Sequence, residues 1–278
     1  MKNRILFVHP NASKKIYQGL STNLSAIEPP IWAALLANHM RAKGYHDVSI
    51  LDCEAENLSP EEVANKIEDF DAKLTVFVVY GQQPSASSQN MQGVHDCLEI
   101  IKQNNPKRKV LLTGLYPSAV SRKTMIDEKT DFVCQGEGPR TITALMQVSN
   151  LEEPTQLEKV PGLWYRDEGH IKFTKPAALI SQDELHIELP GMAWDLLPMD
   201  KYRTSNWHAM SNNNIAQPFA SLYTSLGCPF RCSFCCINAP FGNNNVENWE
   251  YGRNKFRYWD SNFIIKEFDK IHEMGIRN

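Results

Sequence analysis

Cys228, Cys232 and Cys235 sit close together in Gly227-Cys-Pro-Phe-Arg-Cys-Ser-Phe-Cys-Cys-Ile237. Their spacing is C-x3-C-x2-C, and Phe234 directly precedes the third cysteine. Cysteine thiolates ligate iron–sulfur clusters, so three of them can hold three irons of a 4Fe–4S cluster. The fourth iron is then open to a substrate or cofactor. A zinc site is the alternative, with Cys236 or a histidine as fourth ligand. The usual second C-x2-C or histidine module is not seen, and adjacent Cys235 and Cys236 fit poorly on one metal. A disulfide framework suits small secreted chains led by a signal, and this chain reads as neither. Cys236 falls outside the spacing and reads as a small buried thiol behind the loop.

The elements that must position this loop are a strand over 219–225 before it and a helix over 261–274 after it. In that helix Phe263, Ile264, Phe268 and Ile271 share one face, and Gly275 ends it. Upstream, apolar runs at 5–8, 48–51, 74–79, 109–113 and 131–134 read as strands. Helices alternate with them. One opens at Pro29-Pro30, one is capped by Ser59, and others run over 87–103 and 141–148. This predicts an α/β fold with a five-stranded parallel sheet covered on both faces.

Open parallel sheets bind ligands at the carboxyl ends of their strands. The loops there carry Tyr80, Gln83 and Ser85 after the third strand. Gly114, Tyr116 and Pro117 follow the fourth, and Gly136, Glu137 and Gly138 the fifth. A long polar stretch, 11–27, follows the first. Glycines there allow a large flat ligand close to the backbone, or simply make tight turns. None fits a G-x-G-x-x-G fingerprint after the first strand, which disfavours a nicotinamide or flavin site. The tyrosines face a ligand or pack in the loops.

The middle of the chain reads as a connector. Residues 162–166 and 171–173 form a hairpin around Asp167-Glu-Gly-His. Residues 180–217 form an irregular link with aromatic anchors. Tyr202, Trp207 and His208 cover a cofactor or pack between domains. The expected division is 1–150, 151–217 and 218–278.

The 278 residues are enough for about two domains. A 42% hydrophobic and 22% charged composition is ordinary for a globular protein. A formal charge of −3 gives no electrostatic case for nucleic acid or anionic membranes. No apolar run is long enough to span a bilayer. Seven cysteines, an odd number, fit a reducing cytoplasm. Cys53, Cys97 and Cys134 read as core residues.

The cysteine stretch resembles the signature of the radical S-adenosylmethionine (SAM) enzymes. Together with Pro29-Pro30, the Gly-x-x-Pro at 114–117 and the Gly-Glu-Gly at 136–138, it resembles the cobalamin-dependent group of that family, over essentially the whole chain. The resemblance implies a Rossmann-like cobalamin-binding domain followed by a hairpin, a linker and the first βα unit of an incomplete (β/α) barrel. It implies three cofactors: a 4Fe–4S cluster on Cys228, Cys232 and Cys235, SAM, and cobalamin. Phe234 would pack beside the SAM adenine. The cobalamin contacts would be Tyr80, Gln83, Ser85, Gly114, Tyr116, Pro117, Gly136, Glu137 and Gly138. The Asp-x-His-x-x-Gly of cobalamin mutases is absent, which implies cobalt without a histidine ligand.

The implied reaction is SAM cleavage to a deoxyadenosyl radical, then methyl transfer from methylcobalamin to an unactivated carbon of a small-molecule or peptide substrate. A flavodoxin or ferredoxin would supply electrons. Cyclisation or ring rearrangement, and a non-catalytic cobalamin carrier or sensor, are the alternatives. The sequence stops at Asn278, where a second barrel strand is due, which reads as an N-terminal fragment or a truncated gene product.

Overall fold

A computed structural model describes residues 3–18, 25–80, 84–204, 218–230, 232–233, 235–241 and 256–278, with 84 and 85 described in backbone only. The first strand, β1 (Ile5–His9), is buried along its whole length. The polar stretch after it holds a short helix, α1 (Ser13–Tyr17), where a loop is expected. The Asn11 side chain starts this turn by accepting from the Ser13 amide and hydroxyl. Helix α2 (Ile31–Ala42) begins directly after Pro30 and buries Trp32, Leu36 and Met40. Strand β2 (Val48–Asp52) follows. Helix α3 (Pro60–Phe70) starts with a capping box in which Ser59 and Glu62 satisfy each other's backbone amides.

Strand β3 (Leu74–Val79) is fully buried, as its β-branched run predicts. Helix α4 (Pro84–Asn104) and β4 (Val110–Gly114) complete the next unit. Two short helices not expected from the sequence come next, α5 (Leu115–Ala119) and α6 (Ser121–Asp127). Neither has a side-chain cap, and each is too short to be stable by propensity. They are held by packing against the sheet. Strand β5 (Phe132–Cys134) and α7 (Pro139–Gln147) finish the parallel part.

After the short α8 (Pro154–Leu157), the expected hairpin forms as β6 (Leu163–Asp167) and β7 (His170–Phe173). Glu168 and Gly169 both have positive φ, as a two-residue hairpin turn requires. The hairpin extends the parallel sheet with two antiparallel strands, giving seven in the order β2-β1-β3-β4-β5-β6-β7. One face packs on α2 and α7, the other on α3, α4 and α6.

The connector carries α9 (Leu185–Glu188) and a 3-10 turn at Trp194–Leu196. Its aromatic anchors Trp194 and Tyr202 are buried in the same core as Phe7 and Leu111. Trp207 and His208 lie outside the described residues. The expected strand over 219–225 is reduced to β8 (Ser225–Leu226). It pairs antiparallel with β9 (Arg257–Tyr258), past a 3-10 turn at Ala239–Phe241. The amides of Phe219 and Ala220 instead bond the carbonyls of Tyr202 and Asn278, so this stretch joins no ladder. Helix α10 (Ser261–Glu273) is capped by Asp260 and buries Ile271, while Phe268 is exposed. Leu226, Phe241, Trp259 and Ile271 belong to the sheet's own core.

Candidate functional site

The strand order reverses between β1 and β3: β1 leads outward to β2, and β3 leads the other way. Chain connections diverge at such a switch point and leave a crevice at the carboxyl ends of the strands. A cleft of about 210 Å³ lies there. His9 lines it from β1, Glu54 from just beyond β2, and Val78 and Tyr80 from β3. Gln89 and Asn90 of α4, and Glu28 to Ala33 at the start of α2, form two walls. Ser221, Leu222 and Tyr223, a few residues before Cys228, line it as well.

Among the described side chains, Tyr80 is the one predicted cofactor contact that the structure places on this cleft. It is 8% exposed, and its hydroxyl has no hydrogen-bond partner among the described residues. Ser221 Oγ, also on the cleft, is buried and has no partner among the described residues. Unsatisfied buried hydroxyls are uncommon and costly, so a ligand that bonds them removes a penalty. Burial pushes the Tyr80 phenol well above its ordinary pKa, with Tyr223 and Glu137 adding to the effect. Burial also pushes Tyr223 up to about 12. Both therefore stay protonated donors at neutral pH. Asn90 steadies Tyr80 by donating to its carbonyl at 2.8 Å.

His9, passed over in the sequence for want of a cobalt-binding motif, is buried on the cleft wall. Its Nε2 lies 3.6 Å from Glu54. Burial lowers its pKa, but the Glu54 hydrogen bond, the charges of Asp52 and Glu54, and the Val78 backbone outweigh it and raise the net value. Asp52 lies beneath, bonded by the amides of Glu54 and Ala55 and by the Tyr202 hydroxyl at 2.8 Å. Burial raises its pKa, and His9 pulls it back. Position at the end of the first strand was the available signal for His9.

The other predicted contacts gather one strand further along. Gly114, at φ +132°, begins α5 where a Cβ would lie 2.2 Å from the Val79 carbonyl oxygen. Only glycine permits this approach. Tyr116 packs in the α4 face of the core, and Pro117 is buried within α5. Gly136 has φ +129° and open space where a Cβ would stand. Ser118 holds its amide at 3.2 Å. Gly138 caps α7, and Glu137 is buried. None of these six lines the cleft. Gln83 and Phe234 lie outside the described residues, and Ser85 is described in backbone only.

Glu137 instead joins the sheet to the cysteine-bearing segment. Its carboxylate lies 2.5 Å from Arg257 of β9 and accepts the Ile180 amide at 2.7 Å. Burial raises its pKa, and Arg257 pulls it down. Its carbonyl accepts from Trp32 Nε1 at 3.2 Å. Trp32 packs at 5.1 Å on the Tyr80 ring and edge-on at 5.7 Å to Phe241. A run of aromatic contact thus links the cleft to the turn that follows the cysteines. These pairings span the fold and have no local sequence signature.

The cysteine loop is tied down by Asn238, which sequence reasoning missed. Its side-chain carbonyl accepts the Cys228 amide at 3.0 Å, and its NH2 donates to the Phe230 carbonyl at 3.0 Å. The Cys235 amide bonds the Cys232 carbonyl at 3.1 Å, closing a turn between two of the thiols. All three thiols are free, and Cys232 is exposed. Among the described residues no three His, Cys, Asp or Glu side chains converge on one metal position. The donor set nevertheless suits an iron–sulfur cluster, and a cluster draws its ligands together as it assembles. The cleft, with its orphaned hydroxyls and apolar walls, suits part of a large cofactor; its volume is below that of a whole-ligand pocket.

Residues 17–146 match the B12-binding domain family. Over 95% of the chain, the sequence is 28% identical to an uncharacterised methyltransferase of Pyrococcus horikoshii, covering 54% of that protein. Over 98% of the chain, it is 22% identical to the anaerobic magnesium-protoporphyrin IX monomethyl ester cyclase of Cereibacter sphaeroides, covering 39% of it. The chain thus spans about half the length, or less, of these relatives. The cobalamin-dependent SAM radical enzyme OxsB, solved with aqua-cobalamin bound, superposes with a TM-score of 0.65 at 16% identity, over 98% of this chain and 32% of that one. No helix among the described residues is long and apolar enough to cross a membrane. Residues 17–146 thus resemble a B12-binding domain, and over almost its whole length the chain has the fold of OxsB.

Proposed function

We propose that the β1/β3 cleft holds cobalamin and that Cys228, Cys232 and Cys235 ligate a 4Fe–4S cluster whose open iron takes SAM, in a radical SAM methyltransferase. The observation that carries this reading is that the segment before the cysteine loop lines the cleft. Ser221 to Tyr223 line the same cleft as His9, Val78 and Tyr80 of the sheet and lead within a few residues into the cysteine loop. One face of the molecule therefore serves both cofactors. Residues 1–150 would bind the corrinoid, 151–217 connect, and 218–278 begin the cluster-bearing part.

Cobalamin would supply a transferable methyl group, and the cluster with SAM one-electron chemistry. The chain's own residues hold and orient. Tyr80 and Ser221 donate into the cleft, Trp32 and Val78 exclude water, and Asn238 fixes the cysteine turn. A small-molecule or peptide substrate and a flavodoxin- or ferredoxin-type electron donor complete the reading. The P. horikoshii relative, named as a methyltransferase, supports methyl transfer. The cyclase match over 98% of the chain supports ring closure as the second reading. SAM labelled in its methyl group separates the two, since only methyl transfer carries the label into product.

Anaerobic purification with hydroxocobalamin, followed by absorbance and by iron, sulfide, cobalt and zinc analysis, tests the cofactor assignment. Cobalt with iron and sulfide in equal amounts is expected. Cys232→Ala should lose the cluster absorbance and keep the corrinoid. Zinc in place of iron, or loss of both cofactors in the variant, would overturn the assignment.

A further inference from the structure

The cleft holds about 210 Å³, less than a ligand as large as a corrinoid occupies, so a wall must move for one to enter. Most of the walls are fixed. Strands β1 and β3 and helices α2 and α4 bury side chains in the two cores. Ser87 of α4 donates to the Val79 carbonyl at 2.5 Å, and Asn90 donates to that of Tyr80 at 2.8 Å, which pins α4 to the end of β3. Helix α1, which lines the cleft with Ser13, Ile16 and Tyr17, is built differently. It has five residues, none of them buried. A helix this short is not stable by itself, so it forms and opens at small cost.

The base of α1 is anchored. The Asn11 backbone lies against α4 at Gly93, where a Cβ would stand 2.4 Å from the Asn11 carbonyl oxygen, and Ala12 is buried. Its outer side is tied to α4 by Lys15 Nζ, 2.5 Å from Asp96, with the lysine side chain 55% exposed. Exposed ion pairs of this kind contribute little and open readily. A fixed base, a solvent-exposed tie and an inner face of Ile16 and Tyr17 are the parts of a hinged flap. We propose that α1 swings about Asn11 and Ala12 to admit the corrinoid and then closes Ile16 and Tyr17 over it, with Lys15 and Asp96 as the latch. The proposal rests on the corrinoid reading of the cleft and adds how the cofactor enters and which side chains then cover it.

Lys14 and Lys15 make α1 a trypsin site, and both are exposed. Trypsin cuts opened backbone, so cleavage there follows the open population of the flap. Anaerobic cleavage of the full chain is followed by mass spectrometry. Lys66 and Lys129, exposed and not on the cleft, serve as internal references. Saturating hydroxocobalamin should slow the α1 cut by about tenfold or more relative to those two sites. Asp96→Asn keeps an acceptor for Gln92 and loses the charge that holds Lys15. It should speed both the α1 cut and hydroxocobalamin association, read by corrin absorbance, about two- to fivefold, the size of an exposed ion pair. Tyr17→Ala should speed hydroxocobalamin dissociation and leave its association rate unchanged. An α1 cut that hydroxocobalamin does not slow, or slows no more than the reference cuts, overturns the flap while leaving the corrinoid site in place. An association rate unchanged in Asp96→Asn overturns the latch. Failure of hydroxocobalamin to bind at all removes the corrinoid reading itself, and the flap with it.

Discussion

Arg257 lies 2.5 Å from Glu137, and both are buried, so an ion pair inside the protein joins the end of β5 to the strand beside the cysteine loop. Arg257 also donates to the Ile180 carbonyl at 2.6 Å, while Glu137 accepts the Ile180 amide. One connector residue is thereby held by both members of the pair. Removing either partner strands a charge in the core. Arg257→Met or Glu137→Ala should each lower stability by about 3–5 kcal/mol. Urea unfolding provides the measurement. The double variant Glu137→Leu/Arg257→Met should recover a large part of the loss. A double variant as unstable as the sum of the singles would mean that the two charges do not interact.

Asn238 supplies one acceptor and one donor to the backbone around Cys228. Asn238→Ala should cost about 1–3 kcal/mol at this buried site and reduce the iron taken up on reconstitution. Asn238→Asp keeps the acceptor for the Cys228 amide but not the donor to Phe230, so its iron content should be intermediate. Full iron loading in the alanine variant would show that the loop assembles without this tie.

Tyr80→Phe should move two properties in opposite directions. It removes a buried hydroxyl that has no partner in the ligand-free chain, so that form should gain up to about 1 kcal/mol. It also removes a donor from the cleft, so hydroxocobalamin should bind several-fold more weakly. Thermal melts with and without the corrinoid read both. Lower stability of the ligand-free variant would mean that the hydroxyl has a partner.

The His9 imidazole stands above its ordinary 6.5, held there by Glu54, Asp52 and the Val78 backbone against the effect of burial. A raised folded-state value means that the protonated form favours folding. Its contribution is fully present below pH 6.5 and is lost as pH rises through the folded value. Wild-type stability relative to His9→Gln should therefore be greatest near pH 6 and fall toward pH 9. A difference that does not change between those pH values would place the imidazole outside this charge network.

Local chemistry made much of the fold legible. The β-branched run at 74–79 is β3 to the residue, and Ser59 caps α3 as expected, with Glu62 completing a capping box. The hairpin at 162–173 was recognised from its turn, although its place at the sheet edge was not. The short helices α1, α5 and α6 gave no signal, because packing rather than propensity holds them. The expected cofactor contacts lie at the carboxyl end of the sheet, where the cleft opens, but largely on the strands beside it. Composition names strands but not their order, and the crevice follows from the reversal between β1 and β3. With that order in hand, His9 and the start of α2 would have been the positions to inspect. Trp32, Arg257 and Asn238 act through partners brought together by the fold, in the case of Trp32 and Glu137 from 105 positions away.

The Trp32 ring touches Tyr80 on one side and Phe241 on the other while its N–H is bonded to Glu137. This wedge limits how the chain can be rearranged by engineering. A chimera that imports a foreign cysteine segment onto this sheet must also import a residue that fits against Trp32 and a cation for Glu137. The transplantable unit is therefore a pair of matched surfaces and not a stretch of consecutive sequence. A swap made at a linker boundary alone would leave an unfilled hollow beside the indole and an unmatched carboxylate behind it.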